Sequence, residues 1–96
     1  MNAMFYYNTS FNQDIGNWDV SSVLNMSDMF NSTPFNQNIA NWDVSNVTIM
    51  SNMFEESDFN QDISNWSVNS VTDCIDFSLN GDLTAMNSPI FTNCTP

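Results

Sequence analysis

FNQDIGNWDV, residues 11–20, returns as FNQNIANWDV at 35–44 and as FNQDISNWSV at 59–68. Around this core three blocks align: MFYYNTSFNQDIGNWDVSSVLNMSD, MFNSTPFNQNIANWDVSNVTIMSN and MFEESDFNQDISNWSVNSVTDCID. They begin at Met4, Met29 and Met53, and the extra residue of the first falls in the polar loop between MF and FNQ. Self-similarity at a fixed period of this length marks a chain built from stacked units. The apolar columns are Phe11, Phe35 and Phe59, then Ile15, Ile39 and Ile63, then Trp18, Trp42 and Trp66. Val20, Val44 and Val68 follow, then Val23, Val47 and Val71, and Met26 and Met50 share a column with Cys74.

Each block has two textures. The step from Trp18 to Val20 has the period of two that suits a strand. From Val23 the spacing becomes Val23, Met26, Met29, Phe30, which suits one or two helical turns. Ser21 or Ser22, and later Ser45 and Asn69, stand where such turns are capped. The expected unit is therefore a coil of one short parallel strand, a turn, a short helical turn and a polar return loop. About eight apolar side chains cannot offset the entropy of ordering two dozen residues, so coils must stack.

The phase of Met1 and Met4 with Met26 and Met29 places a partial N-terminal coil at 1–3. Repeats then occupy 4–28, 29–52 and 53–76, and a degenerate C-terminal cap 77–96, all within a single domain, 1–96. In the cap Leu83 and Ile90 fall where Phe and Trp would recur, and Pro89 would blunt a strand edge. A bridge between Cys74 and Cys94 would pin the cap to the last full repeat; two free buried thiols are the alternative.

The charge balance is one-sided: eleven acids with no Lys, Arg or His, a formal net charge of −11. Phosphate pairing through counterion release is closed to such a chain, which excludes nucleic acid, and polybasic lipid attachment is excluded for the same reason. No stretch approaches the ~20 apolar residues that span a membrane, and MNAMFYYN lacks a signal peptide's basic and apolar regions. Catalysis is not expected: there is no His base, no Lys for a Schiff base and no Gly-rich phosphate loop.

The pattern MF…FNQDIxNWDVSxVxxMSxMF resembles a bacterial surface-protein repeat of about 25 residues, found in long arrays and largely uncharacterised. The resemblance spans Met4 to Phe77. It implies a leucine-rich-repeat-like fold: an α/β, short right-handed solenoid on secreted or surface-anchored proteins. The chain departs from the pattern in lacking a signal sequence and wall anchor, and in carrying Ser67 and Asn69 in place of Asp and Ser.

On such a sheet the residues between the apolar ones face solvent and form three ladders: Asn17, Asn41, Asn65; Asp19, Asp43, Ser67; Ser21, Ser45, Asn69. They are the candidate binding residues for a protein or glycan on another surface, with turn capping and amide stacking as the alternative use. Asn12, Asn36 and Asn60, with Gln13, Gln37 and Gln61, are expected to satisfy backbone groups that no ladder reaches. Glu55, Glu56 and Asp58 cluster in one return loop as weak Ca²⁺ candidates; they lack the Asp/Asn spacing and central Gly of an EF-hand loop, so no cofactor is expected. The expected function is a non-catalytic, extracellular or cell-surface module for adhesion or protein or glycan binding through a polar acidic sheet face. The alternative is a spacer or self-assembling rod, with association through the open N-terminal end and some stabilisation by Ca²⁺.

Overall fold

The computed structural model describes all residues, 1–96. Its backbone is built from reverse turns. In the segments 1–8, 26–33, 50–57 and 74–81, alternate amides turn back to the carbonyl three residues earlier, as Met29 does to Met26 and Asn31 to Asp28. The intervening amides leave the layer altogether. Those of Met26, Asp28, Phe30 and Ser32 donate to the carbonyls of Ile49, Ser51, Met53 and Glu55. Those of Met50, Asn52, Phe54 and Glu56 donate to Asp73, Ile75, Phe77 and Leu79, all eight bonds being 2.8–3.0 Å. We call these segments turn ribbons. Each donates to the next, and the first joins the second through Ala3, Phe5 and Tyr7.

This alternation excludes a helix, which would keep every amide within its own segment. It also sets the backbone. Positive φ recurs every fourth residue, at Ala3 and Tyr7, Asp28 and Ser32, Asn52 and Glu56, and Asp76 and Asn80. In each ribbon the first of these is the third residue of a four-residue turn, where a type II turn requires positive φ. Asp28, Asn52 and Asp76 are residue types that tolerate the left-handed region. The burial of Met26, Met29 and Phe30 follows from the same turns, which is why their spacing imitates one face of a helix.

Between the ribbons lie arcs, at 11–23, 35–47 and 59–71. Each is pinched by two tight turns: Trp18 to Ile15 and Val23 to Val20, with equivalents in the later arcs at 3.0–3.1 Å. Only Trp18 to Val20 is left between the two turns, too little for a strand. The expected α/β architecture is thereby overturned. There is no strand and no sheet, and the one helix is a three-residue 3-10 turn, Ala85–Asn87, in the C-terminal segment. Parallel pairing is reduced to two isolated bridges, Asn25 to Ile49 and Ile49 to Asp73. The right-handed, leucine-rich-repeat-like solenoid of strand and helical turn is not what these residues form. With no helix to cap, Ser21 and Ser45 turn their hydroxyls to Asp19 and Asp43 instead.

The apolar columns meet in one buried cluster of twenty residues. Two rows of phenylalanines run through it. Phe5, Phe30 and Phe54 stack near-parallel at 5.8 and 5.5 Å, and Phe11, Phe35 and Phe59 at 5.6 and 5.9 Å. Within a layer the rows touch, Phe30 on Phe35 at 4.2 Å and Phe54 on Phe59 at 4.3 Å. Trp42 and Trp66 stack at 6.4 Å, 6° from parallel.

The C-terminal segment closes the last arc by other means. Cys74 and Cys94 form a disulfide with Cα atoms 5.9 Å apart. Phe91 sets its edge on Phe77 at 4.9 Å. Ile90 does not take the place of a tryptophan: it is 80% exposed, while Pro89 beside it is buried.

Candidate functional site

Between the arcs there is no backbone ladder, only the single bond of the Ile63 N–H to the Asn87 carbonyl at 2.9 Å, so side chains make the remaining ties. The Asn12 Oδ1 accepts the backbone N–H of Asn36 at 2.9 Å and the Gln37 amide at 3.1 Å. One layer on, Asn36 accepts Asn60 and Gln61 at 2.9 and 3.1 Å. Asn60 in turn accepts the Thr84 N–H and the Asn87 side chain. The tryptophans add a second rung: Trp42 Nε1 donates to the Ile15 carbonyl at 3.0 Å and Trp66 Nε1 to Ile39 at 3.2 Å. Asn46 reaches the Ser21 carbonyl at 2.7 Å, and Asn93 reaches that of Asn69 at 2.6 Å.

The candidate binding residues are exposed, apart from the half-buried Ser21. They lie along turns, because there is no sheet to present them as a face. Their three columns differ in use. Asp19 Oδ1 accepts both the N–H (3.0 Å) and the hydroxyl (2.6 Å) of Ser21, and Asp43 does the same with Ser45. These bonds favour the ionised form. The Ser21 hydroxyl, then its N–H, holds the Asp19 carboxyl below its ordinary value; Ser45 does so for Asp43, against a small opposing effect of burial and the Asp19 charge. The third layer has no such pair, because Ser67 and Asn69 stand in those places. Asn17, Asn41 and Asn65 are the remaining column, and their side-chain amides bond to nothing within the chain.

The D-x-S clasp also occurs where the columns did not place it. Asp62 accepts the N–H and hydroxyl of Ser64 at 3.0 and 2.6 Å, and its carboxyl is lowered in the same way. Asp14 and Asn38 close the equivalent turns with Gly16 and Ala40. An Asp or Asn two residues before Ser, Gly or Ala is a readable Asx-turn signal.

Glu55, Glu56 and Asp58 are not brought together as ligands. Glu55 accepts the Asn52 and Asn31 amides, while Glu56 and Asp58 are exposed. No three His, Cys, Asp or Glu side chains converge anywhere in the molecule. The one cleft, about 300 Å³, is lined by Asp76, Phe77, Ser78, Leu79 and Pro96 along the last ribbon. No helix is long and apolar enough to cross a membrane.

A family model described as "Mycoplasma protein of unknown function, DUF285" matches residues 1–91. No curated protein and no solved structure matches the chain.

Proposed function

The chain belongs to the DUF285 family of Mycoplasma proteins of unknown function, and from that premise we propose that it is a non-catalytic structural module of a bacterial surface protein, extending a repeat array by fixed increments. The observation that carries this reading is the use made of the polar columns. Asn12, Asn36 and Asn60 bond to the next layer, and Asp19 and Asp43 bond to their own turns. A chain that spends its repeated polar residues on joining and closing layers is suited to spacing. Duplicating residues 29–52 tests the proposal. The longer chain is expected to melt as one unit and to lengthen by about 4.8 Å, the spacing of hydrogen-bonded backbones, in small-angle scattering. An added unit that stays unstructured would defeat the reading.

A second reading, contact with a protein or glycan, is favoured by the free, exposed amides of Asn17, Asn41 and Asn65. Replacing all three with Ser and repeating a protein and glycan array measures it. Every wild-type hit surviving the replacement removes this column from consideration.

A further inference from the structure

One column of the arcs recurs without any use inside the molecule. Asn17, Asn41 and Asn65 precede the tryptophan in all three copies. They are exposed, and their carboxamides have no partner within the chain. The other asparagine column that recurs in all three arcs, Asn12, Asn36 and Asn60, binds the adjoining layer throughout. Turn geometry does not demand the unbonded column either. Each of its members is the third residue of the turn that Trp18, Trp42 or Trp66 closes onto Ile15, Ile39 or Ile63. None of the three has positive φ, and a turn with negative φ at that place accepts most residues.

A carboxamide offers a donor and an acceptor together. The parallel indoles of Trp42 and Trp66, next in sequence to Asn41 and Asn65, lie 6.4 Å apart. An extended peptide advances about 3.3 Å per residue, so one edge presents the N–H and C=O of every second residue at about 6.6 Å. The two periods agree. Charge narrows the peptide further. Asp14 and Asp19 lie to either side of Asn17 in the sequence, Asp43 follows Asn41, and Asp62 precedes Asn65. In each of these four, Oδ1 closes a turn and Oδ2 takes no donor from the chain. No Lys, Arg or His offsets them in a chain of net charge −11. These columns hold no aromatic or aliphatic side chain on which an interface with a folded partner would centre.

We propose that the ladder of Asn17, Asn41 and Asn65 binds an extended peptide segment rich in Lys or Arg, laid along the stack. Each carboxamide pairs with the backbone of every second peptide residue, and the flanking carboxylates receive the basic side chains. The inference rests on the reading of this column as a contact surface, and names its partner. Side chains of an extended peptide alternate between its two sides, and one acidic column precedes the ladder while another follows it. Recognition is therefore of backbone and charge, with no fixed order of side chains. Attraction between opposite charges is screened by salt, so binding weakens as salt rises.

Fluorescence anisotropy with a dye-labelled peptide of alternating Lys and Thr reads this directly. Saturable one-to-one binding is expected in low salt. Asn41→Ala is expected to weaken it roughly tenfold, the loss of a donor and an acceptor pairing together, and replacement of all three asparagines to abolish it. The same peptide N-methylated at every peptide bond keeps its charges and loses its donors, and is expected to bind as poorly as the triple variant is bound. Asp19→Asn with Asp43→Asn keeps an oxygen for each turn and is expected to weaken binding and flatten its dependence on salt. A peptide that does not bind in low salt overturns the proposal. So does a methylated peptide bound as well as the parent, or a triple variant that binds as wild type, since charge alone would then hold the peptide. The substituted positions are exposed, and an unchanged melt of each variant separates lost binding from lost folding. Glycan-array hits that disappear with Asn17, Asn41 and Asn65, beside a peptide that never binds, overturn this inference and leave the column as a contact surface.

Discussion

The two halves of every repeat are joined to their neighbours by different means. The ribbons are joined by backbone: Phe30 donates its amide to Met53 and Phe54 to Phe77, whatever side chains stand at the rim. The arcs are joined by side chains: the Asn36 carboxamide receives Asn60, and the Trp66 indole reaches Ile39. The difference accounts for the uneven repetition of the sequence. In the ribbons one rim column reads Asn31, Glu55, Leu79, three unlike residues, because the bond does not depend on them. In the arcs Phe, Asn, Gln, Ile, Asn and Trp recur in all three copies. In the second and third copies, apart from the Asn before Trp, each is buried or bonds to an adjoining layer.

The comparison is most severely tested at Trp42, which is both packed and bonded. Trp42→Ala is expected to cost about 3–5 kcal/mol in denaturant melts, whereas Glu56→Ala on a ribbon rim is expected to fall within about 0.5 kcal/mol. Similar losses at the two sites would break the distinction.

Next in size is the C-terminal closure, where neither device operates fully. Reducing the Cys74–Cys94 bridge is expected to cost about 3 kcal/mol, as the chain-entropy model gives for a loop of this length, with the C-terminal segment exchanging its amides first. Uniform loss of protection along the chain would show that the bridge supports the whole stack.

Smaller again is Asn36→Ala, expected to cost about 1–2 kcal/mol because it strips the acceptor from the Asn60 amide and the Gln61 side chain. The ribbon answers with a gain. Glu56 sits at φ 51°, so Glu56→Gly is expected to stabilise by about 1 kcal/mol through relief of the left-handed backbone. Measured side by side, the pair shows that arcs depend on side-chain identity and ribbons on backbone geometry.

The smallest effect is the response to acid. Asp19, Asp43 and Asp62 have carboxyls lowered by the serine two residues on. A pKa lower in the folded than in the unfolded chain contributes stability above the unfolded value, about 3.9, and loses it as pH falls through the folded value. Replacing all three by Asn keeps an oxygen for the turn, as Asn38 does at Ala40, and should flatten the melting curve against pH below about 4 relative to wild type.

The sequence made the phase, the columns and the core residues readable, because burial follows spacing whatever the backbone does. It did not disclose the elements. Met26, Met29 and Phe30 have helical spacing, but the alternation of amides between turn and neighbouring layer leaves no mark in hydrophobicity. Trp18 to Val20 has strand spacing, but turns at both ends leave no length for a strand. The structural use of Asn12 and Asn36 is legible in the scarcity of backbone partners. Turn closure at Asp19 and Asp43 competes in the sequence with outward contact, and only the D-x-S spacing favours it. The outward position of Asn17, Asn41 and Asn65 is legible in their place between buried neighbours.

The bridge between Cys74 and Cys94 has a mechanical consequence. Tension applied at Pro96 passes through Cys94 directly to Cys74, so residues 75–93, most of the last ribbon among them, are bypassed by the covalent path of the force. The pull arrives where the last ribbon begins. Rupture must then start at the bond between the Met50 amide and the Asp73 carbonyl, the bonds of Asn52, Phe54 and Glu56 to the ribbon following, with no prior unravelling of the tail to absorb work. Oxidation state thus selects whether the molecule yields first as a loose end or as a row of bonds.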